Sequence, residues 1–147
     1  MKTTRVTVPS LLSLILLANS IMGADAKLAF HLAEAKPTEG WKEVTESGTG
    51  RKIFVEPKAV LTGHDVATAA TVVLGGFPAI SVTFTKTGGV KMAKLTQENK
   101  GKMLAIFVNG KLISAPVIRS KMADQAVITG HFTRAEAEKI AKEISGK

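Results

Sequence analysis

The stretch Leu104-Ala-Ile-Phe-Val108, Asn109-Gly110, Lys111-Leu-Ile-Ser114 leaves the chain little choice of local structure. Two apolar runs are separated by two residues, and Asn-Gly accepts the positive φ that a type I′ hairpin turn demands at both central positions. The predicted register sets Val108 against Lys111, Phe107 against Leu112 and Ile106 against Ile113. Side chains alternate along a strand, so Phe107 and Leu112 lie on the face opposite Ile106 and Ile113. That second face is either covered too, or it presents an apolar patch to a partner.

Other elements fall on either side of this hairpin. Leu28, Phe30 and Leu32 alternate with Ala29, His31 and Ala33, which predicts a half-buried strand. Residues 36–50 are polar and carry Pro37, Gly40, Gly48 and Gly50, so they are expected as a loop around the single tryptophan, Trp41. Ile53-Phe54-Val55 predicts a strand stopped by Pro57. Thr62 is placed as an N-cap with Asp65 three residues on, before an Ala-rich helix over 63–72 that Gly75-Gly76 breaks. Ile80, Val82 and Phe84 alternate with small polar residues as another strand. Gly88-Gly89 then opens a helix over 90–99, and Gly101 occupies the left-handed position after it. Residues 126–129 predict a last strand. Thr133 and Glu136 form a capping box ahead of Ala137, Ile140, Ala141 and Ile144 at helical spacing. Leu61-Thr-Gly-His64 is echoed by Ile128-Thr-Gly-His131, either as two similar strand-exit turns or as a duplicated half-domain.

Strands separated by helices, with one tight hairpin, describe an α+β domain. The expected architecture is ferredoxin-like, a mainly antiparallel sheet with helices on one face. A length of 147 residues allows one domain of this kind. The N-terminus is a separate matter. Lys2 and Arg5 precede the compact apolar run Leu11–Ala18, and Ala24-Asp25-Ala26 supplies small residues for a signal peptidase. Residues 1–26 are expected to be a signal peptide cleaved near Ala26, with an uncleaved membrane anchor as the alternative. Either way 27–147 forms a single extracytoplasmic domain, periplasmic or secreted.

Chemistry is thin in this chain. Zero cysteine excludes a disulfide framework, a cysteine zinc site and a thiol nucleophile. His31, His64 and His131 have no HExxH-like spacing. Ser114 lacks nucleophile-elbow glycines, and the glycine pairs at 75–76 and 88–89 lack the lysine and serine of a phosphate loop. No catalytic, cofactor-binding or metal-binding residue is therefore assigned, and no cofactor is expected. The formal net charge of +8 raises nucleic acid as a partner, but no aromatic stacking motif accompanies it. Its scattered lysines read as a solvated face, or as weak attraction to an anionic membrane surface or to acidic stretches of polypeptide.

Ordered along the chain, Leu28-Ala-Phe-His-Leu32, Val60-Leu-Thr-Gly-His-Asp-Val66, Thr96-Gln-Glu-Asn-Lys-Gly101, Leu104-Ala-Ile106, Asn109-Gly110, Ser114-Ala-Pro-Val-Ile118, Ile128-Thr-Gly-His-Phe-Thr133 and Glu136-Ala137 resemble the first extracytoplasmic region of the SecD family. SecD is the accessory subunit of the bacterial protein-export translocon. The resemblance implies a ferredoxin-like domain outside the inner membrane that contacts emerging polypeptide and Sec translocon components. Family members carry further membrane helices linked to proton-motive-force use, and none follows in this sequence, so a free-standing secreted domain without the proton-coupled part is expected. The implied function is a non-enzymatic polypeptide-binding or translocon-associated module. The alternative is a secreted domain that keeps the fold and acts as a membrane-surface or oligomerisation module. Phe107 and Leu112, with Lys111, Arg119 and Lys121, are the candidate partner-binding residues.

Overall fold

The computed structural model of the chain describes residues 28–146, so the expected signal segment lies outside the described residues. Nine strands and two α-helices follow one another: β1 (Leu28–Glu34), β2 (Lys42–Thr45), β3 (Lys52–Val55), β4 (Leu61–Thr62), β5 (Val66–Leu74), β6 (Phe77–Phe84), α1 (Lys86–Glu98), β7 (Met103–Val108), β8 (Lys111–Ser114), β9 (Gln125–Ile128) and α2 (Arg134–Ser145). The α+β class holds, with all strand pairing antiparallel. The single expected sheet does not. One sheet runs β2-β3-β1-β7-β8 with β4 added against β1, and a second runs β5-β6-β9. Neither carries a ferredoxin-like strand order.

β1 organises the first sheet. It pairs with β7 from Leu28↔Val108 to Ala33↔Met103, and its other edge is shared by β3 and β4. Leu28 and Phe30 face the main core, where they meet Leu104 and Ile106 of β7, Ile80 and Val82 of β6, and Met92, Leu95, Ala141 and Ile144 of the helices. Phe30 and Phe84 cross edge to face with centroids 5.7 Å apart. Ala29 and Ala33 face a second core with Ile53, Val55, Met103, Ala105, Phe107, Leu112 and Ala115. The strand predicted as half-buried is thus buried on both faces.

The first sheet curls to enclose that second core. The turn between β2 and β3 reaches back to β8, where the Ser47 amide donates to the Leu112 carbonyl at 2.9 Å. Arg51 fastens the join: it holds both carboxylate oxygens of Glu46 at 3.2 Å and donates to the Ala115 carbonyl at 3.1 Å. Burial pushes the Glu46 carboxyl up, but the Thr49 hydroxyl and the Arg51 guanidinium together hold it below the usual carboxylate range. Residues 42–45, expected as loop, are a strand because the turn closed by the Glu46 amide on the Arg51 carbonyl lays them antiparallel against β3, from Lys42↔Val55 to Thr45↔Lys52.

Several local expectations are met. Asn109 and Gly110 have φ of 50° and 80°, and Val108↔Lys111 and Phe107↔Leu112 are paired as predicted. A bulge then brings Ser114, not Ile113, opposite Ile106. The Thr133–Glu136 capping box is formed at both bonds, and the Thr62 amide is bound by Asp65 at 3.0 Å. The latter opens only one 3-10 turn, after which 66–74 is strand and not helix. The Ala-rich segment has a closer partner than its own turns: it pairs with β6 from Val66↔Phe84 to Leu74↔Phe77 across Gly75-Gly76, whose φ of 58° and 85° make a hairpin turn. The two Thr-Gly-His segments therefore lead into unlike elements. The second helix expectation is corrected at its start, since Gly88 and Gly89 lie inside α1 and Thr85 caps it through the Gly88 amide at 3.0 Å.

His31 is buried in the second face of β1 beside Phe107, with ring centroids 5.1 Å apart. Its Nδ1 lies 2.8 Å from the Glu56 carbonyl, which can only accept, so Nδ1 carries the proton. Nε2 has no hydrogen-bond partner. Burial lowers its pKa from 6.5, against the smaller pull of the Glu56 carbonyl and carboxylate.

Three stability measurements test this packing. Phe107→Ala and Leu112→Ala each cost about 2–5 kcal/mol in urea unfolding, and the double variant is non-additive because the two are cross-strand neighbours. Gly88→Ala, which in an open helix gains roughly 1 kcal/mol, instead loses about 1–3 kcal/mol, because its methyl group overlaps the Asp65 carbonyl. The unfolded chain takes up a proton at His31 before the folded one does, so stability is full above pH 6.5 and falls as pH drops below it. His31→Gln keeps a donor for Glu56, and its unfolding midpoint varies less with pH over that range; equal slopes for the two proteins contradict the assignment.

Candidate functional site

Of the five residues singled out in the sequence, two are interior. Phe107 is 4% exposed and Leu112 1%. They pair across the β7–β8 hairpin inside the second core, so the apolar contact surface expected of them does not exist. The curl of the first sheet supplies the cover that local sequence does not show. Lys111, Arg119 and Lys121 are exposed. Lys111 borders a shallow groove of about 240 Å³ together with Ile113, His131, Phe132, Glu136 and Ile140. Arg119 and Lys121 stand on a segment pinned at several points. The Leu104 amide donates to the Pro116 carbonyl, the Ile118 amide to Lys102, and the Met122 amide to the Thr96 hydroxyl at 2.9 Å. These cations project from a fixed loop.

The apolar surface lies elsewhere, on the second sheet. Val73 is 71% exposed, Leu74 53%, Phe77 74% and Val127 46%. The first three flank the Gly75-Gly76 turn at the tip of the β5–β6 hairpin. Register puts the cross-strand sets Leu74–Phe77, Val72–Ala79, Ala70–Ser81–Val127 and Thr68–Thr83–Gln125 on one face of that sheet. The opposite face, with Ile80, Val82 and Ile128, packs into the main core. Every one of these outer-face residues is uncharged, as is the whole run from Val66 to Thr85. An exposed antiparallel face is normally polar, so an uncharged one with Leu74 and Phe77 exposed at its tip, and Val73 exposed on the other side of the same tip, is the unusual surface of this molecule. The signal was present in the sequence as Val-Val-Leu-Gly-Gly-Phe, a hairpin turn between apolar residues; reading 63–72 as helix hid it.

Titratable groups do structural work. Asp65 is buried, bound by the Thr62 amide at 3.0 Å and by Lys91 Nζ at 2.8 Å, and it ties the 3-10 turn to α1. His64 and His131 are exposed and separate from His31. Among the described residues no three His, Asp or Glu side chains are grouped to hold a metal ion. No described helix is long and apolar enough to cross a membrane.

Comparison with known proteins agrees with this architecture. The model of the SecDF P1 head subdomain matches residues 39–146. The protein translocase subunit SecD of Aquifex aeolicus is 39% identical over 136 residues, covering 84% of this chain and 27% of that protein. SecD of Elusimicrobium minutum is 35% identical over 119 residues, covering 80% and 25%. The chain thus spans about a quarter of the length of these relatives. A solved structure of SecDF, described as a membrane component that enhances protein export, superposes with a TM-score of 0.66 at 29% identity, over 86% of this chain and 64% of that one. With the P1 head model matched over residues 39–146 and SecD relatives of 39% and 35% identity covering at least 80% of the chain, this chain belongs to the SecD/SecDF protein-export family and carries its P1 head subdomain.

Proposed function

We propose that the chain serves protein export outside the cytoplasmic membrane as a non-enzymatic module that holds extended, unfolded polypeptide on the outer face of its second sheet. The observation that carries this reading is the uncharged outer face ending in Leu74 and Phe77 at the hairpin tip. Those side chains contribute nothing to either core, so the fold makes no demand for them to be apolar. A flat strip lined by Ala70, Ser81, Thr83 and Val127 discriminates little between sequences, which suits a client that is merely unfolded. Burying about 100 Å² of such surface contributes roughly 2.5 kcal/mol, so modest contact gives weak, reversible holding.

Lys111, Arg119 and Lys121 supply a second, longer-ranged attraction for acidic stretches of polypeptide. Exposed charges are screened beyond about 8–10 Å at physiological salt, so this part acts on encounter and not on holding. Sec translocon components fit the same surface as partners, and the family's place in the export apparatus supports them.

Fluorescence anisotropy of a labelled, permanently unfolded model polypeptide with the purified chain separates the two terms. Binding persists at near-physiological salt, and the Leu74→Ser/Phe77→Ser variant weakens it by about tenfold or more, equivalent to about 1.4 kcal/mol. Both positions are exposed, so the variant keeps its unfolding midpoint. Reversing Lys111, Arg119 and Lys121 to Glu alters binding at low salt only. Binding that vanishes at physiological salt, follows the charge reversal and is matched by anionic vesicles overturns the proposal in favour of a membrane-surface module.

A further inference from the structure

The long edge of the second sheet carries more than an apolar face. Among the described residues β5 is an edge strand: β6 pairs along one side of it and no described strand along the other. At Ala69 that free side is occupied by a side chain. The Ser145 hydroxyl, at the end of α2, accepts from the Ala69 amide at 3.0 Å and donates to the Ala69 carbonyl at 2.8 Å. One hydroxyl thus makes the donor–acceptor pair that a residue of an added strand would make.

This fixes the direction of every other backbone group in the strand. Amide and carbonyl of one residue point to the same side in an antiparallel ladder, and the side alternates. If Ala69 points outward, so do Thr71 and Val73, while Ala70, Val72 and Leu74 bond to β6. The position of Pro78 agrees: it stands opposite Val73, where a residue of β6 donates nothing to β5. Thr71 and Val73 therefore present open amides and carbonyls on a segment with no lysine or proline of its own to guard it. Beside them, α2 leaves a groove of about 450 Å³ bounded by Ala69, Thr71, Glu138, Ala141, Lys142 and Ser145.

We infer that this edge takes an extended segment of client polypeptide as an added β-strand, paired at Thr71 and Val73 and ended by Ser145 at Ala69. The inference rests on the polypeptide-holding reading above and gives it a binding mode. Residues of the added strand opposite Thr71 and Val73 set their side chains over the α2 groove, because paired residues share a face. The alternate residues extend the uncharged outer face beside Val72 and Leu74. Backbone bonds carry the affinity, and a small Ala141 floor between one acidic and one basic wall makes the choice of sequence loose. A second copy of the chain fits less well. Two β5 edges related by a two-fold axis at Thr71 set Ala69 of each against Val73 of the other, and Ser145 already occupies Ala69 in both.

The test compares a short, uncharged, alternating Val/Thr peptide with the same peptide N-methylated at every second residue, which keeps its composition and removes its edge donors. The unmodified peptide binds the purified chain, and the N-methylated one binds about tenfold or more weakly. Thr71→Pro removes an outward amide that the β5–β6 ladder does not use, so it weakens binding similarly while keeping the melting temperature. Equal binding of both peptides to the unaltered chain overturns the inference, however Thr71→Pro folds. A chain that sediments as a dimer and becomes monomeric with Thr71→Pro also overturns it, in favour of self-pairing. If unfolded polypeptide still binds in a Leu74- and Phe77-dependent way while N-methylation has no effect, only the strand-addition mode falls. If neither the peptide nor unfolded polypeptide binds, the holding reading falls with it.

Discussion

Most of this structure depends on one strand being buried on both faces and paired on both edges. β1 places Leu28 and Phe30 into the main core and Ala29, His31 and Ala33 into the second. The asymmetry of size matters. Large side chains on one face fill the space between two sheets and two helices, while on the other the two alanines flanking His31 leave room for Phe107 and Leu112 beneath the curled first sheet. Bending brings the β2–β3 turn onto β8, and the Arg51–Glu46 pair holds it there. Glu46 is almost fully covered while Arg51 keeps one side in water. That geometry limits the desolvation cost that a fully interior ion pair incurs. With the second core closed this way, the second sheet and both helices are free to attach only through the main core.

Elements governed by neighbours in sequence were legible, and those governed by distant backbone were not. Asn109-Gly110 specified its turn and the first two pairs of its register. The third pair shifted because Ala115 has to enter the second core. One extra residue in β8 moves Ala115 to that face and Ser114 to the position facing Ile106. No local rule announces that requirement. The same holds for Gly88 and Gly89. Low helix propensity suggests that the helix begins after them, yet both lie within it: the Asp65 carbonyl leaves no room for a Cβ at 88, and the Ala123 carbonyl, 3.1 Å from a Cβ at 89, leaves only a tight fit there. The Ala-rich segment was misread for the complementary reason. Alanine favours helix when nothing else decides, but Gly75-Gly76 brings an alternating partner strand alongside it, and a ladder of eight paired positions decides.

The candidate surface was legible in part. Lys111, Arg119 and Lys121 are exposed as expected, since long cations seldom sit elsewhere. Phe107 and Leu112 were named because an apolar face with no visible cover looks like a contact site. Their cover comes from Ile53, Val55, Ala29 and Ala33, some fifty to eighty positions away in the chain. Conversely, Leu74 and Phe77 are passed over when 63–72 is read as a helix that Gly75-Gly76 breaks, because that reading does not make the glycines a hairpin turn between two strands. An apolar residue is a contact candidate only after the sheets have been assembled and its face found unpartnered.

The two features of the second sheet reinforce one another physically. An uncharged, β-branched edge strand is an aggregation hazard, and folded proteins usually blunt such edges with charge, proline or irregularity. Here the blunting is unevenly distributed. A register shift lies between Val66 and Thr68, and Ser145 covers Ala69, both near the root of the hairpin. Among the described residues nothing comparable protects Thr71 and Val73, and the outer face beside them gains apolar area toward the tip with Leu74 and Phe77 rather than losing it. A backbone alone would bind any extended chain weakly, because each hydrogen bond made is exchanged for one with water. An apolar face alone would bind without fixing direction or length. Together at one hairpin, the edge sets the direction of an added strand and the face rewards its apolar residues, while Ser145 limits how far along β5 it can reach. On this reading the hazard and the proposed function are the same surface, and Ser145 is what keeps it short.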